Sequence, residues 1–419
     1  MGLHHFIHIY KNFINKNMIR RSKHILKFAN KNKLDMLEQI YSDCKKQIEV
    51  YIDQIVSDKL ELKKNMTSKL LSSDFITDSR WRQLCYGQAS EIIRSQYKKA
   101  SNRRFKAYGR IYAKMKEQNR HNKFTSKKFS ELKLNPIQQT KYFTKPKLNN
   151  VTIILPERLF NFTTDSKSFD SFIRLTTPYH TKDNYHYQTI NIPIKYHSHS
   201  NKFRTSGWKL KNSISLNKVN NNFYFDLLWE KEELVRKLSG KSIGLDCGYK
   251  KLLISSDNKI YDLGMEKIYQ KLSRKKQGSK NFKQALTERD NLINQSINKI
   301  ETENIQIIVV EDLKNVKSKS KFSKKFNNKL QRWSYPKVLN KLSMICEENG
   351  INFIKVDPAY TSQTCSKCGH KHKDNRKLEK FLCLSCGRTV DADFNASINI
   401  LHRGIYSSST ENKANSKVS

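Results

Sequence analysis

Two Cys-x-x-Cys motifs separated by a short spacer constrain this chain more than any other feature. The four cysteines are Cys365, Cys368, Cys383 and Cys386. Four thiolates at this spacing suit one tetrahedral zinc ion with no open coordination position, which is the pattern of a structural site. An iron–sulfur cluster and a set of unligated cysteines remain as alternatives. Because the thiolates already fill the coordination shell, we expect His370 and His372, between the motifs, at the surface.

Cysteine usage elsewhere indicates a reducing compartment. The remaining cysteines are scattered along the chain, which favours metal binding over disulfides: Cys44, Cys85, Cys247 and Cys346. No apolar run approaches the roughly 20 residues of a membrane span, so we expect no membrane partner.

The net charge predicts a polyanionic partner. The 419 residues include 80 Lys and Arg against 38 Asp and Glu, a formal net charge of +42. Such an excess would repel itself in a compact protein unless an anion neutralised it, and a nucleic-acid backbone is the natural anion. The hydrophobic share of 37% is large enough for true cores, which argues against a purely ribosomal-type or chromatin-type basic protein.

The N-terminal part carries helical patterns and a basic segment. Apolar residues recur at helical spacing over 35–62, and again from Trp81 to Ile93. The second pattern continues into a stretch in which basic and aromatic residues alternate. The candidate nucleic-acid contacts in this stretch are Arg103, Arg104, Lys106, Tyr108, Arg110 and Lys114. A solvated helix face is the alternative interpretation.

From about residue 140 the patterns change to β and then to α/β. VTIILPERL, YQTINIPIKYH, WKLKNSISL and NFYFDLLWE read as strands, which predicts a small β-barrel or sandwich over roughly 140–232. His197 and His199 fall in this region, and we expect a surface loop there rather than a metal site. From residue 241, buried-type strands alternate with amphipathic helices, as in an α/β domain.

Three acidic residues stand at the ends of apolar segments in this α/β region. Asp246 ends a strand within GLDCG, Glu311 ends a strand within VVEDL, and Asp393 opens a helical pattern within DADFNAS. Carboxylates at buried strand ends are costly unless cations neutralise them. Two Mg²⁺ or Mn²⁺ ions would do so, and such a pair can hydrolyse a phosphodiester. Singly, each acid could instead close a turn, pair with a lysine or cap a helix.

The order GLDCG, VVEDL, TSQTCSKCG and DADFNAS resembles the split RuvC nuclease of TnpB proteins. These are transposon-encoded, RNA-guided DNA endonucleases related to compact type V CRISPR effectors and to eukaryotic Fanzor proteins. The resemblance covers about 241–403, and it implies that Asp246, Glu311 and Asp393 are the catalytic acids. Asp393 is preferred over Asp391 because it stands in the family's Asp-x-Asn-Ala pattern. The usual opening of TnpB proteins is not evident in 1–30.

The resemblance implies a multidomain α+β architecture with an RNase H-like nuclease domain. The expected N-terminal part consists of a segment at 1–30, with HHFIHIYKN as a candidate first wedge strand, a helical recognition domain at 31–137 and a β-barrel wedge domain at 138–234. The expected nuclease part consists of the first part of the RuvC-like domain at 235–362, a zinc ribbon that binds target nucleic acid at 363–389 and the last nuclease segment at 390–404. A disordered tail is expected at 405–419.

The function implied is RNA-guided cutting of DNA by two-metal-ion hydrolysis. The expected partners are a guide RNA and target double-stranded DNA, with two Mg²⁺ or Mn²⁺ ions and one structural Zn²⁺, in a monomer or homodimer. The expected location is the cytoplasm or nucleoid of a prokaryote, or the nucleus for a Fanzor-type protein. A CRISPR-associated type V effector, a nuclease-inactive RNA-guided regulator and a guide-independent junction resolvase are the alternatives. The three acids argue against the second, and the long basic region before the nuclease argues against the third.

Overall fold

A computed structural model of the chain describes residues 17–64, 66–117, 142–163, 168–180, 186–205, 207–313 and 334–415. Side chains at 111–117 and 407–415 lie outside this description, as does the candidate strand HHFIHIYKN. The described residues divide into two compact units. The first comprises Ile19–Lys231, and the second comprises the residues from Glu232 onward together with Asn17 and Met18. The finer domain boundaries expected from the sequence stay predictions.

The helices of the first unit begin close to where the apolar periodicity places them. They are α1 (Lys31–Val56), α2 (Ser79–Glu117) and the single turn α3 (Ser198–Asn201). Helix α1 starts four residues before the predicted 35 because the Asn30 side chain accepts a hydrogen bond of 3.1 Å from the Lys33 N–H. An Asn at this position satisfies one of the N–H groups that a helix start leaves unpaired.

The strands of the first unit form two antiparallel sheets. One has the order β1-β7-β6-β2 and the other β3-β4-β5. The strands are β1 (Asn17–Ile25), β2 (Ile153–Pro156), β3 (Phe160–Thr163), β4 (Ser171–His180), β5 (Tyr187–Ile194), β6 (Lys209–Val219) and β7 (Asn222–Glu232). The predicted β-barrel is therefore not closed within the described residues, because these strands pair into two sets. Strand β1, with alternate residues buried, was not predicted.

One hydrophobic core joins the helices and both sheets of this unit. Trp81 of α2, Tyr51 of α1, Ile173 of β4 and Phe225 of β7 are all fully buried in it. Burial of large side chains provides roughly 1.5–3 kcal/mol each. The helical recognition and β-rich wedge segments expected from the sequence are thus packed into one unit rather than into two separate cores.

The second unit is built on a five-stranded sheet of order β10-β9-β8-β11-β12. Its strands are β8 (Lys241–Asp246), β9 (Leu253–Ser255), β10 (Ile260–Tyr261), β11 (Ile305–Glu311) and β12 (Asn352–Val356). β8, β11 and β12 are parallel, whereas β9 and β10 return antiparallel. The continuous apolar run of β11 fits a central strand whose two faces are both covered.

Helices cover both faces of this sheet. They are α4 (Met265–Ser273), α5 (Lys280–Ile297), α6 (Tyr335–Glu348) and α7 (Ala392–Asn415). Ile308 and Val310 pack in one cluster with residues of α4, α5 and α6, whereas Val309 packs on the other face with Ile400 of α7. The alternation along β11 therefore separates two hydrophobic layers, as expected for a sheet flanked by helices.

Helix α7 lies unusually close to the sheet because two glycines allow it. A Cβ on Gly244 of β8 would lie 2.1 Å from the Ser397 carbonyl oxygen, and a Cβ on Gly404 would lie 2.5 Å from a Val309 methyl. No other residue fits at either place without displacing the helix. The helix continues to Asn415, so the tail predicted to be disordered from 405 is helical over most of its length.

A small three-stranded sheet lies between β12 and α7. Its strands, in the order β13-β14-β15, are β13 (Arg376–Lys377), β14 (Lys380–Leu382) and β15 (Thr389–Asp391). Phe381 is fully buried against Cys365, Cys383 and Ala392, which gives this segment its own miniature core. Among the helices described, none combines the length and apolar composition that a bilayer crossing requires.

Candidate metal centres

Asp246 and Glu311 end adjacent parallel strands at the same edge of the sheet. The register pairs Leu245 of β8 with Val310 of β11, so each acid is the next residue on its strand. Side chains at the carboxyl ends of neighbouring parallel strands face the same crevice, which is where α/β sheets bind ligands. Both side chains are partly buried.

Asp393 reaches this edge from the first turn of α7. The neighbouring Asp391 makes different contacts, because its carboxylate accepts hydrogen bonds of 2.9 and 3.1 Å from the N–H groups of Asp393 and Phe394. Asp391 also forms an ion pair of 2.7 Å with Lys251. Asp391 is therefore the cap of the helix, whereas the carboxylate of Asp393 is close enough to Asp246 to repel it.

Asp246 interacts electrostatically with the other two carboxyl groups. Burial, followed by repulsion from Glu311 and then Asp393, raises the pKa of Asp246 well above its usual value. Burial also raises the pKa of Glu311, although a hydrogen bond from Thr361 and the charges of Arg403 and Arg376 oppose this rise. Mutual repulsion at a partly buried edge is the state that a bound cation relieves.

Arg376 supplies part of the missing positive charge. Its guanidinium donates a hydrogen bond of 2.7 Å to Asp393, and both side chains are largely shielded from solvent. Thr361 donates its hydroxyl proton to Glu311 and so orients that carboxylate. The sequence analysis assigned a role to neither residue. Thr361 opens the TSQTCSKCG motif, but the motif does not reveal its contact with Glu311, and no motif marks an arginine in a chain this basic.

The donor set of this edge fits a hard divalent cation. It consists of the carboxylate oxygens of three neighbouring acids, and carboxylate oxygens are the ligands that Mg²⁺ and Mn²⁺ prefer. The oxygens of the three acids are nevertheless spaced too widely to form a closed set of ligands around one ion. Within the described ranges, the cysteines alone form a group of three or more ligand atoms that all lie within 4.8 Å of one another.

The four predicted cysteines converge into a second centre. The sulfurs of Cys365 and Cys386 are 3.7 Å apart, and those of Cys368 and Cys383 are 3.6 Å apart. Such separations suit four thiolates around one tetrahedral ion. The group could therefore hold a structural metal such as zinc.

Each Cys-x-x-Cys motif forms the same tight turn. The Gly369 N–H donates to the Cys365 carbonyl at 2.9 Å, and the Gly387 N–H donates to the Cys383 carbonyl at 3.0 Å. Both glycines have positive φ values, 75° and 68°, which favour glycine. The Cys386 N–H lowers the pKa of Cys383 to about 6, which favours a thiolate at neutral pH.

The predicted non-ligand histidines lie outside the cysteine group. His372 accepts a hydrogen bond of 3.2 Å from the Asp374 N–H, and His370 stacks on it. In the first unit, His197 and His199 are exposed, and His197 caps α3. His197 also stacks on the buried His24, whose pKa burial lowers to about 4.

Two asparagines of α7 connect the two centres. The Asn395 side chain accepts a hydrogen bond of 3.0 Å from the Ser366 N–H and donates a hydrogen bond of 2.8 Å to the Thr364 carbonyl. Asn399 donates to the carbonyls of Thr361 and Thr364 at 2.8 and 2.7 Å. The DADFNAS motif thus holds the first cysteine turn and the helix that carries Asp393 in one rigid arrangement. The sequence motif contained Asn395, but its pattern did not reveal this role.

The candidate nucleic-acid residues divide between two sides of α2. Arg103, Lys106 and Arg110 are exposed and, at 100° per residue, lie on one side of the helix. Arg104 points about 100° away from Arg103 and is only 7% exposed, which argues against it as a direct contact. Tyr108 is half-buried, and the side chain of Lys114 lies outside the description.

Comparison with known proteins finds one family model and several relatives that match parts of this chain. The family model described as "Cas12f1-like, TNB domain" matches residues 335–400. The CRISPR-associated endodeoxyribonuclease Cas12f1 of Sulfoacidibacillus thermotolerans is 42% identical over 94 residues, 22% of this chain and 21% of that protein. TnpB-like protein aq_aa05 of Aquifex aeolicus is 36% identical over 96 residues, 22% of this chain and 31% of that protein.

A longer match is to InsQ of Escherichia coli (strain K12), provisionally named an RNA-guided DNA endonuclease. It is 30% identical over 203 residues, 40% of this chain and 50% of that protein. The chain thus spans half or less of the length of these relatives. Among solved structures, the match to the Cas12f1–sgRNA–target DNA complex covers 92% of this chain and 98% of that chain, at 16% identity and a TM-score of 0.44.

The chain combines a mixed α/β sheet, paired acids at one edge of that sheet and a four-cysteine segment before the last helix. In sequence it is similar both to TnpB-like proteins and to the compact CRISPR-associated Cas12f1 proteins.

Proposed function

We propose that this chain is an RNA-guided DNA endonuclease that cuts at the sheet edge formed by Asp246, Glu311 and Asp393. The observation that carries the proposal is the placement of Asp246 and Glu311 at the ends of adjacent parallel strands. Burial raises the pKa of both acids, and repulsion from Glu311 further raises the pKa of Asp246. The names of the relatives, which include CRISPR-associated endodeoxyribonucleases, support the same activity.

The three acids would hold divalent metal ions, Mg²⁺ or Mn²⁺. Such ions, when bound, activate water and stabilise the leaving oxygen of a phosphodiester. The chain's own residues orient the ligands: Thr361 fixes the Glu311 carboxylate, and Asp391 fixes the first turn of α7 and with it Asp393. Arg376 balances part of the negative charge of the edge and opposes the rise in the pKa values of Asp246 and Glu311.

The four cysteines would hold one zinc ion with a structural role. With four thiolates, no coordination position is open for water, so the ion stabilises the small sheet rather than taking part in hydrolysis. Because Asn395 and Asn399 join this segment to α7, an intact ribbon would keep Asp393 in place.

A guide RNA would provide sequence specificity, and the basic surface would hold nucleic-acid backbones. The net charge of +42 supports this, as does the row formed by Arg103, Lys106 and Arg110 on α2. The target would be double-stranded DNA.

Three forms of the guided activity differ in testable ways. The relatives include both TnpB-like and CRISPR-associated proteins, so the guide would come from a transposon flank or from a CRISPR array. Another relative is named a CRISPR-associated DNA-binding protein, Cas12m. The presence of all three acids favours a nuclease over a protein that only binds DNA.

The deciding experiment is to purify the full chain, sequence its co-purifying RNA, and assay DNA matching that RNA for Mg²⁺-dependent cutting. We expect a discrete RNA and cutting that Glu311→Gln abolishes while RNA binding persists. Repeat-derived RNA would indicate a CRISPR effector, whereas RNA from the flank of the gene would indicate a transposon origin. Absence of RNA, or equal cutting by the variant, would overturn the proposal.

A further inference from the structure

A leucine is almost entirely exposed at the tip of the hairpin that β13 and β14 form between the two cysteine motifs. Leu378 is 91% exposed and has a φ of 56°, a left-handed conformation in which glycine or asparagine is the usual residue. It lies in the two-residue turn between the paired residues Lys377 and Lys380. An apolar side chain in a strained backbone conformation, with nothing in the described structure covering it, suggests a functional contact.

The tip is held against the elements that carry the acidic edge. Arg376 donates from Nε to the Leu378 carbonyl at 3.1 Å and from Nη2 to Asp393 at 2.7 Å. On the other side of the turn, the Ala392 N–H donates to the Glu379 carbonyl at 2.8 Å. The Glu379 side chain also forms an ion pair with Lys250. The turn is therefore attached on both sides, and its exposed leucine has a defined position close to Asp393.

The surroundings of Leu378 are suited to a nucleic-acid strand. Lys377 and Lys380 flank the turn and are exposed, so a phosphate on either side would meet a positive charge. Arg376 contacts both Asp393 and the turn. It therefore holds Leu378 near the acids at which a phosphodiester would be cut. A nucleotide bound at the acids would bring its base and sugar, which have apolar faces, toward an apolar side chain.

We propose that Leu378 packs against a nucleobase of the DNA strand at the acidic edge and so positions the scissile phosphate. This inference rests on the proposed nuclease function and adds a positioning residue to it. The leucine contributes shape and apolar area without sequence selectivity, because every base offers an apolar face. The attached turn supplies the rigidity that such positioning needs, since a displacement near the reacting atoms lowers the rate steeply.

The test compares Leu378→Asn, Leu378→Met and Ile260→Asn in the full chain with its co-purified RNA. Asn fits a positive φ at least as well as Leu, so Leu378→Asn should fold and keep its metal. Met retains an apolar side chain, and Ile260 is an exposed apolar residue on β10, away from the hairpin. The probe is a short single-stranded DNA with 2-aminopurine beside the cleavage position, followed by fluorescence in Ca²⁺ and by cutting in Mg²⁺.

We expect Leu378→Asn to weaken binding of the probe roughly tenfold, as for loss of one buried leucine contact, and to abolish the fluorescence change. Leu378→Met should retain both the affinity for the probe and the fluorescence change, and Ile260→Asn should resemble the wild type. A fluorescence change unaltered in Leu378→Asn would overturn the inference, whether or not the protein cuts. Absence of cutting by the wild type would count against the proposed function alone, because the fluorescence measurement does not require cutting.

Discussion

Arg376 donates a hydrogen bond of 2.7 Å to Asp393, which joins the hairpin between the two cysteine motifs to the acidic edge of the sheet. The same guanidinium holds the Leu378 carbonyl at 3.1 Å. One arginine therefore connects the hairpin to the residues that we propose bind catalytic metal. The same side chain both offsets the negative charge of these acids and holds the hairpin beside them.

Replacing Arg376 by Gln should move metal binding to higher pH. Burial and the neighbouring acids raise the pKa of Asp246, and Arg376 opposes that rise. Without the arginine, the carboxyl groups keep their protons to higher pH, and protons compete with the metal. Titration of Mn²⁺ binding against pH should show a midpoint shifted upward. Lys377→Gln, on the same hairpin, is the control, and equal midpoints in the two variants would contradict the expectation.

The two aspartates of the DADFNAS motif should respond very differently to the same change. Asp393→Asn should reduce Mg²⁺-dependent cutting by a factor on the order of 10³ or more, as for loss of a catalytic group. Asp391→Asn keeps an oxygen that can cap α7 and should leave the rate within roughly tenfold of the wild type. Single-turnover cutting rates measure both. A greater loss in Asp391→Asn than in Asp393→Asn would reverse the assignment.

Asp246→Asn should stabilise the protein when divalent metal is removed. Because the pKa of Asp246 is raised in the folded state, folding is opposed once the pH passes the usual value of 3.8, and the full penalty is present above the raised pKa. The melting temperature of Asp246→Asn in chelator should exceed that of the wild type near neutral pH, and the two should converge below pH 3.8. Added Mg²⁺ should stabilise the wild type more than the variant.

Asp391→Asn is the matched control, with the opposite sign. Burial would raise the pKa of Asp391, but Lys251 and the helix N–H groups lower it below its usual value. Its charge therefore stabilises the fold above the unfolded pKa, and that contribution is lost as the pH falls through the lowered value. Asp391→Asn should melt below the wild type near neutral pH. Identical melting curves for both variants would show that the two carboxyl groups do not differ as described.

Cys383→Ser should release the metal of the ribbon. The variant removes one of four sulfurs that lie within 4.8 Å of one another, and a serine hydroxyl is a far weaker zinc ligand than a thiolate. The zinc content of the purified protein, measured by elemental analysis, should fall from about one ion per chain toward zero. Cys346→Ala, at a buried cysteine outside the group, should keep its zinc. Full zinc occupancy in Cys383→Ser would exclude the four-cysteine site.

Neutralising the row on α2 should weaken the salt dependence of nucleic-acid binding. Each phosphate contact contributes about 0.9 to the slope of log K against log salt for duplex DNA, so the triple Gln variant of Arg103, Lys106 and Arg110 should lower the slope by about 2–3. Gln at three scattered exposed lysines, Lys59, Lys267 and Lys276, is the control of equal charge. An equal decrease in both would indicate a general charge effect rather than a binding face.

Much of the second unit could be predicted because its signals are local. The apolar runs before Asp246 and Glu311, and the cysteine spacing, each occur within a few residues. The contacts of Arg376 and Thr361 could not be predicted, because they depend on how hairpin and loop return to the sheet. In the first unit the strand patterns were clear for β2, β5, β6 and β7. Closure of a barrel depends instead on pairings between distant strands, which alternation does not encode.

The close approach of α7 to Gly244 also has a consequence for the order in which the protein is made. A ribosome completes β8 and β11, with Asp246 and Glu311, long before it adds the helix that carries Asp393. The last sheet face is covered only when that helix arrives and fits against Gly244 and Val309. A nascent chain would therefore carry two of the three acids that we propose to be catalytic without the third. If that proposal holds, we expect no cutting of nearby nucleic acid until synthesis has passed the four-cysteine segment.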